Sequence, residues 1–177
     1  MKKILIIMIV LLTGLSYAQP AKAELDAAVL SQANAMGKAF IEGRYEDFAQ
    51  YTHPTIEIMV GSKERLVSEI KRTFEQLKSE GVSFTDISYG APSEALLYEG
   101  QLQCTLPQMI EMKVESGTVT SSSILIAVSM DNGKSWFFID PGDQDINTMR
   151  KIIPTLSPKL QLPGGLEPGF EPKEEKQ

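Results

Sequence analysis

The sequence predicts an α+β domain in which N-terminal helices pack on a curved antiparallel sheet, with a short helix after the strands. Three observations carry this reading. Apolar residues recur at helical spacing through the first half of the chain. From Leu102 the apolar period drops to two, the period of a strand with one covered face. Asn132-Gly133 then sits between two alternating runs, the strongest short-range hairpin signal.

Leu25, Val29, Ala33, Met36 and Phe40 fall on one stripe of a helix over residues 24–41, and Gly43 is placed to end it in a left-handed cap. A short second helix fits Tyr45–Tyr51, with Phe48 and Tyr51 on one face. It stops by His53, because Pro54 pushes the residue before it out of the helical region. A third helix starts near Gly61-Ser62, where Ser62 caps free N–H groups and Glu64 suits the positive end of the dipole. Its apolar stripe is Leu66, Ile70, Phe74 and Leu77, and Gly81 ends it.

Short strands fit Val82–Tyr89 and Ala95–Glu99. From Leu102 to Val114 every even position is apolar except Gln108, which predicts a long strand with Leu102, Cys104, Leu106, Ile110, Met112 and Val114 on a core and the odd positions in water. Pro107 donates no hydrogen bond and implies an edge or a bulge. Ser116-Gly117 turns the chain into Thr118–Met130, and Ser135–Asp140 returns after the Asn132-Gly133 hairpin. Asp143–Ile153 reads as a last helix that Pro154 stops.

The N-terminus reads as an address. Lys2 and Lys3, the apolar run Ile4–Leu12 and Ser16-Tyr17-Ala18 describe a secretory signal peptide over residues 1–18, cut between Ala18 and Gln19. The run is shorter than the ~20 apolar residues a membrane span needs. The expected product is exported to the periplasm or beyond, with no membrane anchor. A single domain then fills residues 19–157, and the proline- and glycine-rich stretch 158–177 is expected to be disordered.

Losing Lys2 and Lys3 lowers Lys+Arg from 17 to 15 against 23 Asp+Glu, a net charge of −8. Such a surface repels phosphate backbones, so nucleic acid is not an expected partner. Cys104 is the only cysteine, which rules out an intrachain disulfide, and its place on the apolar face of a strand suggests a buried, inert thiol.

This order of elements resembles the NTF2-like, or cystatin-like, superfamily over residues 22–140. In that family a long helix and a short one lead through a strand-like link to Gly-x-x-Glu-x-(Leu/Ile) at the start of another helix. Here the link runs from Tyr51 through His53-Pro54 to Gly61, Glu64 and Leu66. The resemblance implies a cone-shaped fold that hosts isomerases, dehydratases, hydrolases and modules without activity. Members similar to polyketide cyclases carry an acid or a histidine in the link, and His53 is the nearest match, although an Asp usually stands where this chain has His53-Pro54.

Few residues carry a chemical signal. His53, the only histidine, would serve as a general base if Asp47 or Glu57 oriented it in a pocket. Ser129-Met-Asp131-Asn-Gly133-Lys-Ser-Trp136 matches the sialidase Asp-box, which is a hairpin device away from the active site and is read here as a turn. Asp143-Gln-Asp145-Ile-Asn147 alternates oxygen ligands, but Thr148 and Pro154 stand where a calcium loop needs Gly and Glu. Gly164-Gly165 lacks the Lys-Ser/Thr of a phosphate loop. No catalytic, cofactor or metal residue is assigned. The expectation is an exported, non-catalytic module that binds a small ligand, a peptide or a partner protein, and a homodimer is compatible with it. The alternative is a small NTF2-like lyase, isomerase or hydrolase using His53 with a carboxylate.

Overall fold

A computed structural model describes residues 20–163 and 169–172. The expected signal segment with its Ala18–Gln19 bond lies outside the described residues, as does Gly164-Gly165. The chain forms α1 (Lys22–Ile41), α2 (Tyr45–Ala49), α3 (Pro54–Val60), α4 (Lys63–Ser79), β1 (Ser83–Tyr89), β2 (Leu96–Tyr98), β3 (Gln101–Val114), β4 (Gly117–Ser129), β5 (Phe137–Ile139), α5 (Ile146–Ile152) and β6 (Gly169–Pro172). This is an α+β fold: the N-terminal helices pack on an open, six-stranded antiparallel sheet, followed by a short helix. The sheet order is β1-β3-β4-β5, with β2 also on β3 and β6 also on β4. Among the described residues, no helix is long and apolar enough to cross a membrane.

The long β3–β4 hairpin organises the sheet, its register running from Leu102 opposite Ser129 to Val114 opposite Gly117. Pro107 is tolerated inside it because β1 leaves β3 at Gln108 and β2 joins it only at Gln103. In that break the Pro107 carbonyl accepts the Gly90 N–H at 2.9 Å, so its own nitrogen faces a loop where no strand requires a donor.

Alternation puts apolar groups on both faces at the α1 end of the sheet. Leu102, Cys104, Leu106, Leu125 and Ala127 meet Leu25, Val29, Ala33 and Met36 of α1, together with Trp136 and Phe138. On the opposite face Ile126, Val128 and Ile139 meet Met149, Ile153, Leu156 and Leu160. Burying a side chain of this size contributes ~1.5–3 kcal/mol, so both layers matter to stability.

That second layer corrects two expectations. The odd face of β3 is not in water where it starts: Gln103 and Thr105 are buried. The stretch after Pro158 is not disordered throughout, because Leu160 is buried and Leu162 packs beside it. Hydrogen bonds hold it there. Gln103 donates from Nε2 to the Thr155 carbonyl at 2.7 Å and accepts the Ser157 N–H at 2.7 Å. The Arg150 guanidinium donates to the carbonyls of Ser157, Pro158 and Leu160. Further on, β6 pairs with Gly117–Thr120, where a Cβ on Gly117 would stand 2.2 Å from the Glu171 carbonyl oxygen.

Two other expectations change. The link before Gly61 is helical: Pro54 occupies the first turn of α3, the His53 ring caps it, and Gly61 closes it at φ 110°. Met112 and Val114 are only half-buried, and α4 packs against α2 and α3 instead of lying on β3. Its Phe74 reaches the sheet through Phe84, at 5.2 Å between ring centres.

The Asp-box sequence is a turn. Asp131 Oδ1 accepts the Lys134 and Ser135 N–H groups, Gly133 has φ 89°, and the Trp136 indole N–H donates to the Gly133 carbonyl. Gln32 fastens the turn to α1, donating to the Lys134 carbonyl and accepting the Trp136 N–H.

Replacing Gln103 with Leu removes both bonds to the C-terminal stretch and leaves the Ser157 N–H and Thr155 carbonyl unpaired. The variant should lose ~2–4 kcal/mol, read from urea unfolding followed through Trp136, the only tryptophan. A loss below about 0.5 kcal/mol would place the clamp elsewhere.

Candidate functional site

Beyond the layer packed by Val29, Ala33 and Leu106, α1 and the sheet separate around a cavity of about 240 Å³. This is somewhat below the ~300–1,000 Å³ of drug-sized ligand cavities and suits a correspondingly small molecule. Its apolar wall includes Met36, Phe40, Phe48, Ile87, Ile110 and Phe138. Phe40 and Phe48 continue into an aromatic cluster, with Phe40 4.2 Å from Phe74 and 4.8 Å from Phe84 between ring centres.

Gly37 makes room for Tyr89 in the polar wall of the cavity. Glycine inside a helix costs ~1 kcal/mol relative to alanine. Here a Cβ would stand 2.9 Å from the Tyr89 hydroxyl, so the bare backbone lets the end of β1 approach α1. Gln108 Nε2 then donates to the Tyr89 hydroxyl at 3.3 Å, and Ser123 Oγ lies 3.2 Å from Gln108 Oε1 and 3.1 Å from Asp140 Oδ2. The single Ser123 proton goes to one of these two acceptors at a time. Asp140 Oδ1 is held by the Gly142 N–H at 2.9 Å. Tyr89, Gln108 and Asp140 all line the cavity.

Burial pushes the Tyr89 phenol up to about 12, against a smaller opposing effect of the Gln108 bond, so the ring stays neutral at physiological pH. Its oxygen already accepts from Gln108, and its proton has no acceptor among the described residues. The wall thus offers a neutral O–H donor beside apolar side chains, suited to the carbonyl or ether oxygen of a small molecule.

His53 is not part of this wall. It is 3% exposed, its Nδ1 accepts the Thr55 N–H at 3.2 Å, and its Nε2 is buried without a partner among the described residues. With Nδ1 accepting, the proton of the neutral ring sits on Nε2. Burial alone holds its pKa below the usual 6.5. The carboxylate that would orient it is elsewhere: Asp47 pairs with Arg44, and among the described residues no carboxylate bonds the ring. The structure does not bring His53 and Asp47 together as a catalytic pair.

The other candidates have local roles. Burial pushes the Cys104 thiol up to about 12, and it packs in the α1 layer. Asp145 caps α5 by accepting the Thr148 N–H at 2.8 Å. No group of three or more His, Cys, Asp or Glu residues is placed to hold a metal ion among the described residues. Sequence reasoning missed Tyr89, Ser123 and Asp140 as site residues. It marked Gln108 only as the one polar residue on an apolar face, and that exception was the signal.

Comparison with protein-family models finds none that matches the chain, and a search of curated proteins finds no match.

Proposed function

We propose that this chain is an exported, non-catalytic binding module of NTF2-like architecture that holds a small, largely apolar molecule between α1 and the sheet. The observation that carries this is the cavity itself: aliphatic and aromatic walls with one polar side, Tyr89, Gln108 and Asp140. That composition matches small-molecule sites, where apolar burial supplies affinity and a few polar groups fix orientation. The placement of His53 supports binding over turnover, since one ring nitrogen caps α3 and the other is buried. Export is supported by Lys2, Lys3, the run Ile4–Leu12 and the Ser16-Tyr17-Ala18 site. The NTF2-like assignment rests on the order of the elements and the Gly61, Glu64, Leu66 pattern.

The naphthyl ketone dye Prodan tests the site, because its aromatic body suits the walls and its carbonyl suits the Tyr89 hydroxyl. The mature protein should bind it saturably with blue-shifted emission. Tyr89→Phe should weaken binding about three- to tenfold, the worth of one hydrogen bond. Ile87→Trp, which fills the cavity from a half-buried position, should abolish binding while circular dichroism stays that of the wild type. Absence of saturable binding, or binding indifferent to Ile87→Trp in a folded protein, contradicts the proposal.

Export has its own test. N-terminal sequencing of protein recovered from outside the cytoplasm should begin at Gln19, and a precursor retained in the membrane would contradict it.

A further inference from the structure

Among the described helices α3 alone has no buried residue, and it stands at the cavity. None of its residues is buried; Ile58 is 77% and Met59 62% exposed. Its Ile56 nevertheless lines the cavity, as does Thr52 just before it. The link ahead of it is tied to β5, with the Phe138 N–H donating to the Tyr51 carbonyl at 2.7 Å and the His53 N–H to the Phe138 carbonyl at 3.3 Å. The start of α3 is therefore fixed to the sheet, while the helix beyond it rests on Ile56 and on α4.

We propose that α3 is an acid-released flap over the cavity, latched at neutral pH by the bond from the Thr55 N–H to His53 Nδ1. The latch works only with a neutral ring. Protonation puts a hydrogen on Nδ1, so ring and backbone present two donors to each other and the cap is lost. It also places a positive charge at the positive end of the α3 dipole, in surroundings made by Phe137 (ring centres 6.4 Å apart) and the β5 backbone.

Among the described residues no neighbouring charge offsets this. Asp47 on α2 is engaged by Arg44, and Asp140 after β5 is held by Ser123 and the Gly142 N–H. Glu57 on α3 itself makes no bond to the ring, whose Nε2 is unpartnered among the described residues. The folded-state pKa lies below the unfolded value of 6.5. The stabilisation from the neutral ring is thus complete above pH 6.5 and is lost as the pH falls through the folded-state value. The latch fails toward acid, and the flap opens where its remaining contacts are weakest. The flap's role in ligand exchange rests on the cavity being a binding site; its opening does not.

Hydrogen exchange of the mature protein, corrected for intrinsic rates, tests this at about pH 7.5 and about pH 5. Amides of residues 56–60 should lose about tenfold in protection at the lower pH while α1 keeps its own. His53 is the only histidine, so its ring resonance is unambiguous, and its titration midpoint should coincide with that of α3 opening. His53→Asn, whose side-chain oxygen caps without titrating, should hold α3 closed at both pH values. Unchanged protection in the wild type, equal loss in a folded His53→Asn, or joint opening of α1 and α3 would overturn the proposal. Should His53→Asn not fold, a mismatch between the wild-type midpoints overturns it. Prodan binding is a separate readout: a flap that opens in a protein that binds no Prodan refutes the binding reading alone.

Discussion

Because β3 and β4 pair along their whole length with side chains alternating across the sheet, apolar residues on each face must be covered by some other part of the chain. At the Leu102–Leu106 end both faces are apolar, and the chain covers both. α1 lies on the face of Leu102, Cys104 and Leu106, while α5 and residues 156–160 lie on the face of Ile126 and Val128. Toward the hairpin tip the sequence turns to serine and threonine, from Thr118 to Ser123, and the cover thins. Sheet pairing is continuous along the hairpin, whereas core packing is confined to one end of it.

The cavity follows from that difference. α1 stays close to the sheet where Ala33 meets Leu106, and a few residues on it meets Tyr89, whose hydroxyl would stand 2.9 Å from a Cβ at Gly37. The polar side chains beyond that point are linked in a chain from Tyr89 to Asp140 that holds them in place and leaves the Tyr89 proton free for a guest. Such a wall is preorganised, and a guest gains the Tyr89 proton without first breaking a protein hydrogen bond. His53 shows the opposite economy: its ring completes a helix end and leaves one buried nitrogen without a partner among the described residues, at a cost of ~1–3 kcal/mol that the surrounding packing must offset.

Much of the architecture was legible in the residues. The stripe Leu25 to Phe40, the Ser62 cap, the alternation after Leu102 and the Asn132-Gly133 hairpin all report local geometry, and local geometry is what periodicity and turn chemistry encode. The errors have a common origin in tertiary partners. Gln103 and Thr105 looked solvated because nothing in β3 announces that residues 155–160 return to cover them. The stretch after Pro158 looked too poor in apolar residues to order itself, which holds for the isolated segment; Arg150 and Gln103 supply the bonds from elsewhere. α3 was hidden by its β-branched run, although Pro54 at its start and Gly61 at its end were both in view. The site suffered most, since Tyr89, Gln108, Ser123 and Asp140 come from β1, β3, β4 and the end of β5, and no spacing in one strand links them.

A small apolar molecule should settle between α1 and the sheet. Methyl-resolved NMR of the protein titrated with Prodan locates it directly. Shifts should appear at Met36, Ile56, Ile87, Ile110 and Leu125 and spare Ile126, Val128 and Ile153 on the opposite face. Shifts concentrated on that opposite face, or on the exposed Ile58 and Met59 alone, would contradict a binding cavity between α1 and the sheet.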